Sequence, residues 1–131
     1  MHRIITFTSL LFEHINGKEY KLIRPLLVTV DNQTTEIPAG FITDCASVPR
    51  GLWNLFPPTG SYAKAAVFHD WLYREGKLSR KQADELFLDA TECLGVPWIT
   101  RYSLYWGVRI GGWIAFDFYA DKRFFSNILD E

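Results

Sequence analysis

Cysteine, histidine and net charge are all scarce in this chain, and each shortage removes a class of function. Two cysteines, Cys45 and Cys93, stand among 131 residues and form neither a metal spacing nor a disulfide framework, so two free thiols are expected. His2 and His14 have no ligand-spaced partners. Fourteen Lys and Arg against fifteen Asp and Glu leave a formal charge of -1, which supplies no long-range field toward nucleic acid or anionic lipid. A clean apolar run of roughly 20 residues, the length of a bilayer span, is also missing. The most apolar stretch, Leu104 to Phe116, carries Arg109 in its middle and Asp117 just beyond, so it is expected to be a core helix. The opening residues are broken by Thr6, Thr8, Ser9 and Glu13 and do not read as a signal peptide. Gly-rich phosphate loops, a Ser nucleophile elbow and zinc-finger spacings are absent.

What is present is globular: 48% hydrophobic and 22% charged residues, enough for a core in one domain over 1–131. Residues 4–43 alternate in hydrophobicity and are interrupted by Asn16-Gly17 and by D-N-Q-T-T from Asp31, which predicts a small antiparallel sheet. Pro25 inside the second run predicts an edge or a bulge there. Residues 44–60, with three prolines and two glycines, form a long loop of the kind that carries function. Helices are expected over 61–120. Ser61 starts the first and Gly76 ends it; Ser79 and Gln82 make a capping box for the second, which Gly95-Val96-Pro97 closes; the third runs from Pro97 to about Ala120. The fold class is α+β, with three helices packed around the third. Trp53, Trp71, Trp98, Trp106 and Trp113 read as core.

Within the first helix the stretch H-D-W-L-Y-R, from His69, brings an imidazole, a carboxylate and a phenol into a run that otherwise reads as buried. Tyr62, Ala66, His69 and Tyr73 share one face, and Asp70 lies about 100° round from His69. In the second helix Ala83, Leu86, Phe87, Ala90, Cys93 and Leu94 make an apolar stripe, bordered by Asp84 on one side and Asp89 on the other. Two accounts fit. In the first, His69, Tyr73 and one of those carboxylates are a hydrogen-bonded network that fixes helix packing. In the second, His69 takes a proton from water, a carboxylate of the second helix holds its other nitrogen, and Asp70 with Asp44 ligates a hard cation that polarises a carbonyl. That chemistry cleaves an ester or an amide.

The stretches P-A-G-F-I-T-D-C-A-S-V-P-R from Pro38, G-S-Y-A-K-A-A-V-F-H-D-W-L-Y-R from Gly60 and R-K-Q-A-D-E-L-F-L-D-A from Arg80 resemble a phage and prophage family catalogued as domain of unknown function thirteen fifty-three. The resemblance covers nearly the whole chain and implies only a viral or prophage setting; the host cytoplasm or the virion is the expected location, and other phage proteins are candidate partners. A second resemblance, over roughly Asp44 to Leu94, is to the secreted phospholipase A-two group of bacteria and fungi. It is carried by D-C-A-S from Asp44, H-D-W-L-Y-R from His69 and D-E-L-F from Asp84. It implies His69 as general base, Asp84 as its carboxylate partner, Tyr73 as a hydroxyl donor to that carboxylate, calcium on Asp44 and Asp70, and a lipid or other acyl substrate. The sequence departs from that group at Ala66, where the partner of Cys45 would stand, and after Asp44, where its glycine is missing. The expected function is therefore a metal-dependent hydrolase of acyl esters or amides; its alternative is a non-catalytic phage accessory or virion protein in which the same residues are structural.

Overall fold

The computed structural model describes residues 3–16, 19–43 and 62–110. The architecture is α+β. Six short strands come first: β1 (Ile5–Phe7), β2 (Phe12–Asn16), β3 (Glu19–Leu22), β4 (Leu26–Val30), β5 (Gln33–Ile37) and β6 (Ile42–Thr43), followed by helices α1 (Ala63–Glu75) and α2 (Arg80–Cys93). A third helix, α3, covers 98–110 of the described residues.

The strands form two antiparallel sheets, β1-β4-β5 and β2-β3-β6, where the pattern of the sequence predicted one. Pro25 is the reason. Lacking an N–H, it interrupts the run K-E-Y-K-L-I-R-P-L-L-V-T-V, and β3 before it and β4 after it pair in different sheets. Hairpin β4–β5 closes through Asp31 and Asn32, both at positive φ (46° and 75°), between the paired residues Val30 and Gln33. Two successive left-handed residues are the signature of the tight type I′ turn, which Asp-Asn supplies without glycine. Along β4, Leu26 and Val28 are buried and Leu27 is exposed, the period-two alternation of a sheet with one face on the core.

The helices end where the chain chemistry says they should. Gly76, at φ 70°, takes the left-handed position after α1 and returns its N–H to the Leu72 carbonyl. At the head of α2, the Gln82 N–H donates to Ser79 Oγ at 3.1 Å and the Ser79 N–H to Gln82 Oε1 at 3.0 Å. At its tail, Val96 N–H reaches the Thr91 carbonyl and Gly95 N–H the Glu92 carbonyl, the paired bonds of a Schellman turn. Replacing Ser79 with Ala removes the acceptor for an orphan N–H and is expected to cost about 1 kcal/mol. Urea unfolding checks this: the midpoint should fall with the slope unchanged.

One core joins sheet and helices. Ile5, Leu26, Val28 and Ile37 meet Val67, Phe68, Ala83, Phe87 and Ala90, with Phe7 set edge-on to Phe68 at 6.1 Å. Arg3 beyond β1 pairs with Asp89 of α2 at 2.5 Å, so Asp89 belongs to the seam between sheet and helix. Two expectations fail here. Cys93 is exposed rather than part of the apolar stripe, as a free thiol whose Sγ donates to the Arg3 carbonyl. Cys45 lies outside the described residues. Nor is α3 central: Leu104 and Val108 are buried, whereas Trp98 is 65% exposed, Trp106 57% and Ile110 72%. Hydrophobicity all round the helix says nothing of which faces find partners. Trp71 packs against the core, edge-on to Phe41; Trp53 and Trp113 lie outside the described residues. Among the described residues no helix is long and apolar enough to cross a membrane.

Candidate functional site

Where α1 and α2 pack, a four-residue link (76–79) keeps them neighbours and sets the 69/73 side of one against Asp84 of the other. His69 and Tyr73 are one turn apart, so their rings lie together, 4.2 Å between centroids. Phe87, one turn after Asp84 on the core side of α2, packs on the His69 ring at 4.8 Å. These contacts leave His69 only 2% exposed and Asp84 0%.

A carboxylate this deep must be hydrogen-bonded, and Asp84 is, on both oxygens. Its Oδ1 lies 2.7 Å from His69 Nε2 and accepts the Tyr73 hydroxyl. Its Oδ2 accepts from Arg109 Nη1 of α3 at 2.9 Å, with Arg80 Nη1 at 3.6 Å from the preceding turn of α2. Burial alone would raise the Asp84 carboxyl. The hydrogen bonds from His69, Tyr73 and Arg109 outweigh it and hold the group below its ordinary value. Tyr73 moves the other way: burial, then the bond to Asp84, pushes its hydroxyl far above the ordinary range, so it stays protonated as a donor.

An ionised carboxylate only accepts hydrogen bonds. His69 Nε2 therefore carries the ring proton, and in the neutral imidazole the lone pair sits on Nδ1. That nitrogen is buried and has no hydrogen-bond partner among the described residues. The arrangement can thus take a proton at Nδ1 while Asp84 stabilises the imidazolium that results.

The structure brings His69, Tyr73 and Asp84 together, while Asp89 pairs with Arg3. Arg80 and Arg109 are the members that the sequence reasoning missed. Both left a signal. Arg109 is a cation inside an apolar helix and needs an acid to bury against, and Arg80 stands four residues before Asp84, the helical spacing of an ion pair.

The candidate cation site is only partly placed. Asp70, on the next face of α1, is buried, and its Oδ1 lies 3.4 Å from Arg74 Nε. The Arg74 guanidinium in turn sits over the Phe41 ring at 5.0 Å. A carboxylate oxygen is the hard donor that calcium takes, yet among the described residues no group of three or more His, Cys, Asp or Glu gathers to hold a metal. Asp44, the other expected ligand, lies outside the described residues, as do residues 45–61.

No curated protein and no solved structure matches the chain. A family model does, the one described as "Protein of unknown function (DUF1353)", over residues 20–108. That span holds His69, Asp70, Tyr73, Arg80 and Asp84, and the chain belongs to this family of proteins of unknown function.

Proposed function

We propose that the chain is a hydrolase of acyl ester or amide bonds in which His69 activates water. The observation that carries this is the polarity of the His69 ring: Nε2 is committed to Asp84 at 2.7 Å, and Nδ1 is buried with no partner among the described residues. A water at Nδ1 gives up a proton to it as its oxygen bonds to the acyl carbon, and the carbonyl electron pair moves to oxygen. When the tetrahedral species collapses, the C–O or C–N bond breaks and Nδ1–H returns the proton to the leaving group. Asp84 stabilises the imidazolium between these events, and Tyr73 keeps the carboxylate turned toward the ring. The test is release of acid from p-nitrophenyl butyrate and from phosphatidylcholine in mixed micelles, lost on substitution of His69.

Calcium belongs to the proposal through Asp70, with Asp44 as the further ligand. Bound there, it would polarise the carbonyl under attack. Binding only to the folded state should raise the melting temperature in millimolar calcium relative to chelator; identical melting curves would remove calcium from the account and leave the dyad.

A second reading has its own observation. Arg109 and Arg80 on Oδ2 spread the Asp84 charge over α2 and α3, as a network that fixes helix packing would. On that reading the chain is a non-catalytic phage accessory or virion protein, and substituting His69 or Asp84 costs stability with no hydrolysis to lose. The phage or prophage origin, common to both, predicts the chain in infected-cell lysate or purified virions by mass spectrometry; its absence from both would count against that setting.

A further inference from the structure

We infer that Arg109 is a positioning residue: by holding the far oxygen of Asp84 it fixes which nitrogen of His69 carries the proton. This rests on the proposed role of His69 as a base, and its test makes no use of hydrolysis.

Four groups face the Asp84 carboxylate. From α1 come His69 Nε2 and the Tyr73 hydroxyl, both on Oδ1; from α2 comes Arg80, and from α3 Arg109, both on Oδ2. The oxygens are therefore divided, with the ring on one and the guanidinium groups on the other. Arg80 Nη1 also donates to the Arg109 backbone carbonyl at 2.8 Å, so α3 is tied to α2 by its main chain as well as by its side chain. Val108 beside Arg109, and Leu104 one turn before that, are buried in the core and keep the helix from sliding.

Burial raises the Asp84 carboxyl, and Arg109 is one of the donors, after His69 and Tyr73, that offset it; without Arg109 the balance moves toward the protonated acid. A protonated carboxyl can donate to Nε2, which then must accept, and the ring proton moves to Nδ1. That tautomer has no lone pair at the nitrogen meant to receive a proton from water. Arginine does not deprotonate in proteins, so its hold on Oδ2 adds a permanent donor to those of His69 and Tyr73 that keep Asp84 an acceptor. The side chain of Arg109 is 23% exposed against 0% for Asp84, which places it on the outer side of the network.

Nuclear magnetic resonance of 15N,13C-labelled protein reads this directly. In the wild type the His69 ring should show Nε2 protonated and Nδ1 unprotonated when neutral, and the Asp84 carboxyl carbon should titrate below the ordinary carboxylate range. Arg109→Met should shift the Asp84 titration upward and populate the Nδ1–H tautomer, whereas Arg109→Lys, which keeps a cation, should stay close to wild type. A folded Arg109→Met protein with both signals unchanged would overturn the inference. So would a wild-type spectrum with the proton on Nδ1, a result that does not depend on how either variant folds. Failure to hydrolyse any ester would sink the proposed activity and leave these signals as stated.

Discussion

His69→Gln should abolish hydrolysis by roughly 100-fold or more and leave the domain folded, because removal of a positioned general base typically costs 10²- to 10⁴-fold. Glutamine suits the test by geometry. Its amide nitrogen reaches about where Nε2 stands and can donate to Asp84 Oδ1, so the buried carboxylate keeps its partner on α1. It has no atom of useful basicity in place of Nδ1. The expected pattern is a small loss of melting temperature, from the lost ring contacts with Phe87 and Tyr73, beside a large loss of turnover. His69→Ala is the poorer variant, since it removes one donor from the buried Asp84 and adds a cavity, and a fall in activity would then be confounded with unfolding.

Asp84→Leu should have the largest effect on stability, about 3 to 5 kcal/mol. The leucine fills similar volume, so the loss is electrostatic. Arg109 and Arg80, with side chains 23% and 25% exposed, can turn to water, but His69 and Tyr73 are buried and lose their shared acceptor. Adding Tyr73→Phe to Asp84→Leu should recover part of the loss by removing one stranded hydroxyl, a non-additivity that a double-mutant cycle measures. Acid provides an independent check. The Asp84 carboxyl is held below its ordinary 3.8 in the folded protein, so its contribution is complete above that range and is lost as pH falls through the lower folded value. The stability gap between wild type and Asp84→Leu should therefore stay level near neutrality and narrow only in acid. A gap that closed already near pH 6 would mean that Asp84 is not the ionised acceptor described here.

Much of this was legible in the sequence, for reasons that are local. Turn chemistry at Asp31-Asn32, the capping box of Ser79 and Gln82, and the left-handed Gly76 and Gly95 act within a few residues, and periodicity put His69 and Tyr73 on one face. The split of the strands into two sheets was not legible, because which strand pairs with which depends on contacts distant in sequence; Pro25 marked the break and not the new partner. The exposed face of α3 was hidden for a related reason. An apolar helix reads as central on composition, and only the packed fold shows Trp98, Trp106 and Ile110 outward. At the site, spacing supplied the members from α1 and a choice of two acids from α2. Arg109 comes from 25 residues beyond Asp84, on another helix, and its pairing is a property of the tertiary fold.

The measurement that bears most directly on the central claim is the wild-type reaction itself in 18O-labelled water. Purified protein and the fold-matched His69→Gln variant are given p-nitrophenyl butyrate and phosphatidylcholine micelles, and the released acid is followed by mass spectrometry. If His69 directs water at the acyl carbon, the wild type should release acid from at least one of these substrates well above the variant, with one 18O in its carboxylate per turnover. Equal release by the two proteins on both substrates, or release no faster than in buffer, would contradict the account and leave the His69, Asp84 and Tyr73 network as a device for packing helices.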